Sequence, residues 1–225
     1  LNTPPVDVDE SSEVVVLSQS YHKDLYLYLV AAKTFARYIR PARFVVVDDG
    51  YTQEDQTIIR AHLRRVEFIP RKGVSSPVCP VGGCWERLLS IADLCANHYV
   101  IQLDSDTVTV ADPVEVRDFI SHNASFTLPT KLGRAFIPVS QAAEDMLGSE
   151  SQHIQVLAER ALGRIPEVAG TEYIRGCAGF AGFAKGSINR EAVERISGLM
   201  WRELGDGIWK RWGSEQFASN YLIAN

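Results

Sequence analysis

Three short runs of β-branched residues constrain this chain more than any other feature. "EVVVLSQS" (13–20), "RFVVVDDG" (43–50) and "YVIQLDSD" (99–106) each climb through apolar residues and stop at small polar or acidic ones. Stretches of helical spacing separate them. Tyr21 to Ile39 is rich in Leu, Ala and aromatic residues. "TQEDQTIIRAHLRR" follows with Thr52 as N-cap, and "GGCWERLLSIADLCANH" repeats apolar residues at Trp85, Leu88, Leu89, Ala92 and Cys95. With "VEFIP" as a further strand, the rhythm is β-α-β-α-β. Alternation of this kind predicts an α/β fold, a mostly parallel central sheet flanked by helices. In such sheets ligands gather beyond the carboxyl ends of the strands, where "SQS", "DDG" and "DSD" all fall.

The remainder is less regular. "ASFTLPT" reads as a strand, and "SQAAEDMLGSESQHIQVLAERALG" as helical or partly loop. "EYIRGCAGFAGFAKG" reads as a glycine-punctuated strand with another backbone close by, and "NREAVERISGLMWRELG" as a helix. "GSEQFASNYLIAN" opens a last helix with Ser214 as N-cap. Residues 1–13, acidic and proline-containing, read as a loose lead-in, and 14–225 as a single domain.

Composition narrows the function. The 225 residues carry a net charge of −5 and no basic cluster, which argues against nucleic acid as a partner. The four cysteines form no C-x-x-C pair and read as reduced thiols. No apolar run approaches the roughly 18 residues of a membrane span, and the first residues lack a signal pattern, so the expected location is cytoplasmic.

Asp104 and Asp106 end an apolar strand with one serine between them. A desolvated carboxylate needs a cation, donors or water. Two hard oxygen ligands so placed suit Mn2+ or Mg2+ with a diphosphate completing the shell, and the alternative is a turn-capping pair. The haloacid dehalogenase pattern, which also places two aspartates after a strand, wants a threonine where this chain has Val108.

Taken together, "LSQSYHKDLYLYLVAAKTFARY", "FVVVDDG", "ERLLSIADLCANHYVIQLDSDTVTVADPVEV" and "GSEQFASNYLIAN" resemble a nucleotide-sugar glycosyltransferase of the GT-A fold. The retaining family 8 type, to which glycogenin belongs, is the branch they resemble most. The resemblance runs from Val14 to Asn220. It implies a metal-dependent transferase moving a sugar from a donor, expected to be UDP-linked, to a carbohydrate, lipid or protein acceptor. It also implies a set of roles. Ser18, Ser20 and Asp48 or Asp49 would hold base and ribose, Arg87 would approach the donor, and Asp104, Ser105 and Asp106 would form the metal-diphosphate motif. Glu215, Gln216 and Asn220 would match the family's Asp-Gln element with a following asparagine, with Gln216 under the reacting carbon if configuration is retained and Glu215 the candidate base if it is inverted.

Two departures stand against the family pattern. Cys177 occupies the place of an asparagine in "RGCAGF", and none of His22, His62, His98, His122 and His153 lies in the "His-x-x-Gly-x-x-Lys" segment that supplies a third metal ligand. A non-catalytic sugar- or nucleotide-binding protein of the same fold is one alternative. A sugar-nucleotide pyrophosphorylase is another, though "LSQSYHKD" lacks the glycine-rich loop such enzymes carry.

Overall fold

A computed structural model describes residues 3–131, 133 and 135–225. The three apolar runs form β1 (Val14–Ser20), β2 (Arg43–Asp48) and β4 (Tyr99–Leu103), and β3 is Val66–Pro70. Helices α1 (Leu25–Ala36), α2 (Gln53–His62) and α3 (Trp85–Cys95) connect them. Then come α4 (Val114–Ser121), β5 (Phe126–Pro129), β6 (Ile137–Pro138), α5 (Val139–Asp145) and α6 (Ile154–Leu162). The chain continues through β7 (Glu172–Tyr173), β8 (Gly176–Phe183), α7 (Arg190–Leu204), α8 (Asp206–Trp209) and α9 (Ser214–Ile223).

The main sheet has six strands in the order β3-β2-β1-β4-β8-β5, and β6 pairs with β7 in a separate ribbon. β1 runs parallel to β2 and β4, and β2 to β3, while β8 is antiparallel to both its neighbours. The expected mostly parallel sheet is therefore present. Its order turns at β1, which lies between β2 and β4, and this creates the crevice where such sheets bind ligands.

Strand periodicity divides the core in two. Val15, Leu17, Val45, Val47 and Val100 point to one face and pack with α3, α6, α7 and α9. Val14, Val16, Phe44, Val46 and Ile101 point to the other and pack with α1, α2 and α4. Burial on both faces explains why these strands are continuous apolar runs.

Several boundaries differ from expectation. The helix expected over Tyr21 to Ile39 is a 3-10 turn at His22–Asp24 followed by α1. The lead-in is tied down: Val6 bridges Leu63, its N–H donating to the His62 carbonyl at 2.9 Å. Leu1 and Asn2 of that segment lie outside the described residues. Thr52 does cap α2, in a reciprocal capping box with Asp55. For α9 the cap is Gly213, in the left-handed region at φ 97°, and Ser214 is the first helical residue. The close approach expected along the glycine-rich strand is found. A Cβ on Gly182 would lie 2.2 Å from Phe126 Cε1, and one on Gly176 2.2 Å from Thr127 Cγ2.

Candidate active site

β4 is buried along its whole length, and the chain leaves the sheet at Asp104. The Asp104 N–H donates to the Gly179 carbonyl at 2.9 Å. The Thr107 hydroxyl donates to the Asp104 carbonyl at 2.8 Å, closing a turn that presents both aspartates. Asp104 is half-buried and its carboxylate accepts from Arg87. Asp106 is exposed and makes no hydrogen bond or ion pair among the described residues.

Arg87 comes from the first turn of α3, and a tight approach sets its position. Gly82, Gly83 and Cys84 all have positive φ, so the chain turns sharply before entering the helix. The Arg87 guanidinium is buried and reaches across to α9, 3.3 Å from both Glu215 oxygens. The Trp85 indole N–H donates to the Ser214 hydroxyl at 2.9 Å and packs edge-on against Trp209, fixing α3 against α9. Burial pushes the Glu215 carboxyl up to about 7 against the pull of Arg87, and it raises Asp104 too, with Asp106 adding repulsion. One buried cation thus pairs with two carboxylates, Asp104 and Glu215, and the carboxylate of Asp106 adds to the negative charge at the strand end without a partner of its own among the described residues.

Beside this clamp lies a second one. Arg71, just beyond β3, forms an ion pair with Asp49 at 2.5 Å and approaches Glu86, the neighbour of Arg87, at 3.7 Å. Glu86 is buried and accepts from the Gly82 N–H at 2.8 Å, with its other oxygen unpartnered. Asp48, Asp49, Tyr51, Arg71 and Lys72 line a cavity of about 420 Å³ at the ends of β2 and β3.

The other sequence-predicted residues sort into the site and its scaffold. Ser18 is buried and donates to the Leu103 carbonyl at 2.6 Å, tying β1 to the end of β4. Ser20 accepts from the Tyr51 hydroxyl at 2.7 Å. Asp48 accepts from the Gly50 and Tyr51 N–H groups and from the Gln56 amide, so both its oxygens hold the turn after β2. Ser105 reaches Asp24 at 3.5 Å. Asn220 is buried and, with Gln216, donates its amide to the Gly176 carbonyl, at 3.1 Å and 2.8 Å respectively. Asn220 therefore pins β8, while half-buried Gln216 keeps its carbonyl oxygen free. Arg71, Tyr51 and Glu86 escaped sequence reasoning. The available signal was the "RK" pair directly after an apolar strand.

No protein-family model matches the chain, and no curated protein does. Solved structures do. The bifunctional glycosyltransferase WbbM, in its apo form, is 13% identical with a TM-score of 0.52 over 97% of this chain and 39% of that one. Core-mannan synthase A from Aspergillus fumigatus, in its Mn/GDP form, is 12% identical with a TM-score of 0.51 over 97% and 74%. The mannosyltransferase Ktr4p from S. cerevisiae is 14% identical with a TM-score of 0.50 over 100% and 71%. The chain spans about two fifths of the length of the first. The fold is the GT-A fold of nucleotide-sugar glycosyltransferases that the sequence resembled. Among the described residues no helix is long and apolar enough to cross a membrane.

Proposed function

We propose that this chain is a glycosyltransferase that takes a sugar from a nucleoside-diphosphate donor and passes it, with retention of configuration, to an acceptor hydroxyl. The observation that carries this reading is buried Arg87 held between Asp104 and Glu215, with Asp106 exposed at the crevice where the strand order turns. A pyrophosphorylase reading lacks support, because the turn after β1 contains no glycine to cradle a triphosphate.

The residues fit a divalent metal. Asp104 and Asp106 offer hard oxygen ligands suited to Mn2+ or Mg2+, although no group of three His, Cys, Asp or Glu side chains among the described residues could enclose one. Diphosphate oxygens and water would supply the other positions. A cation held there supplies positive charge to the departing diphosphate. Arg87 orients Asp104 and favours its ionised form against the burial that raises its pKa. Ser105, between the two aspartates, would offer its hydroxyl to the same diphosphate. The cavity beside Asp49 and Arg71 has the place and polarity for base and ribose.

Retention is favoured by the state of the two α9 residues. Glu215 is 3% exposed and faces Arg87, so it is shielded from an acceptor. Gln216 has its amide nitrogen tied to Gly176, which leaves its carbonyl oxygen as the end available to stabilise positive charge on a bound sugar. UDP is the proposed nucleotide, and the Mn/GDP form of the Aspergillus neighbour makes GDP the second candidate.

Calorimetry tests the site. The protein should bind UDP or GDP only with manganese present, and Asp106→Ala should abolish that binding while leaving the melting temperature within about 2 °C, as expected for an exposed residue. Unchanged metal-dependent affinity in the variant refutes the metal assignment. Tight nucleotide-sugar binding with neither hydrolysis nor transfer would favour the non-catalytic alternative.

A further inference from the structure

Helix α1 is apolar on both sides, yet only one side is covered. Leu25, Tyr28, Leu29, Ala32 and Phe35 enter the core. Tyr26, Leu27 and Val30 face outward, with Tyr26 59% exposed. A helix that is hydrophobic all round is ordinarily buried all round. The exposed surface continues beyond the helix. The Thr109 N–H donates to the Thr34 hydroxyl at 3.1 Å, which lays the segment after the Asp104–Asp106 motif beside α1, with Val108 exposed and Val110 85% exposed. Beside it, an apolar groove of about 390 Å³ runs between residues 3–6 and α1, with Val30, Lys33 and Arg37 among its walls.

Charge identifies the occupant. The whole chain carries −5, but residues 21–40 hold Lys23, Lys33, Arg37 and Arg40 against a single acid, Asp24. Lys23 and Arg37 are exposed around the apolar stripe, Arg40 is exposed at the far end of it with Asp9 nearby, and Lys33 is held by the Thr3 hydroxyl and the Pro4 carbonyl. Asp112, the acid on the adjoining turn, is paired with Arg117. We propose that the outer face of α1, with Tyr26, Leu27 and Val30 flanked by Lys23 and Arg37, docks on an anionic lipid bilayer. An aromatic-aliphatic stripe with basic residues around it suits the headgroup boundary, where the apolar groups enter and the cations stay among the phosphates. A second copy of the chain fits less well, because a two-fold contact would set each basic rim against itself. The surface adjoins the mouth of the candidate site through Val108 and Val110, so docking brings that mouth to the bilayer.

Vesicle co-sedimentation tests this without any assay of transfer. The protein should bind phosphatidylcholine vesicles containing phosphatidylserine at least tenfold more tightly than phosphatidylcholine alone, and the preference should fall as salt rises. The triple variant Tyr26→Ser, Leu27→Ser, Val30→Ser should lose binding, and so should Lys23→Glu combined with Arg37→Glu. All five positions are exposed, and an unchanged circular-dichroism melt confirms that each variant folds. Equal binding to both vesicle types, binding that survives the two variants, or a wild-type dimer that the triple variant dissolves in light scattering would each overturn the proposal.

Discussion

Loss of the Arg87 guanidinium would strand two carboxylates at once. Arg87 and Glu215 are both buried, and neither could recruit water without opening the contact between α3 and α9. Breaking a buried pair on one side costs about 3–5 kcal/mol, so Arg87→Met should lower the melting temperature by many degrees. Adding Glu215→Gln should recover part of that loss, because it removes one of the unpaired charges. A double variant no more stable than Arg87→Met would show that the pair is not coupled as its geometry requires.

A second buried pair sets a pH dependence. Glu159 on α6 accepts from Arg175 Nε at 2.8 Å, and its pKa is raised, chiefly by burial, with Arg175 pulling the other way. A carboxyl with a raised folded pKa contributes stability that is complete below the unfolded value, about 4.3, and is lost as pH rises through the folded value. Gln at 159 never ionises. The melting temperature of Glu159→Gln relative to wild type should therefore rise between pH 4 and pH 8. A relative stability that falls over that range would mean the ion pair outweighs the burial penalty.

At the scale of elements, β8 depends on glycines that no positive φ demands. Gly176, Gly179 and Gly182 are all absent from the left-handed region. Two of them are small because a neighbour is in the way. Gly182→Ala would push a Cβ to 2.2 Å from the Phe126 ring and 2.6 Å from the Tyr99 hydroxyl, and overpacking of this kind costs about 1–3 kcal/mol. Gly179→Ala meets nothing closer than 3.5 Å and should leave stability unchanged or slightly improved. Urea denaturation of the two variants gives the comparison, and equal effects would contradict the packing explanation.

The same elements mark what the chain disclosed of itself. β4 was legible over Tyr99–Leu103 because a strand buried on both faces must be apolar without interruption, and its end is where the first carboxylate appears. Asp104 and Asp106 were legible for that reason. Ser214 misled because its hydroxyl is spent on the Trp85 indole, a partner 129 residues away that no local pattern displays. Asp48 and Asn220 carried ligand-binding expectations, and in the fold their side chains hold a turn and a strand, work that local spacing does not display. Arg71 stayed hidden because its meaning lies in Asp49 and Glu86, which folding alone brings to it.

Across the whole molecule, the residues that hold the architecture and those proposed for the chemistry are separable at Gln216. The Gly176 carbonyl receives two amides, so deleting Gln216 leaves Asn220 in place and β8 anchored. Gln216→Ala should therefore cost about 1 kcal/mol or less in stability. Its carbonyl oxygen, by contrast, would act on charge that develops only as the sugar departs. Turnover should fall about 100-fold or more with donor affinity little changed, the split expected of a group that acts in the transition state. Proton NMR of the product decides the mechanism behind that loss. An α-linked product from an α-linked donor supports retention. A β-linked product would require a base on the opposite face, and Glu215, buried against Arg87, would have to leave its clamp to serve as one.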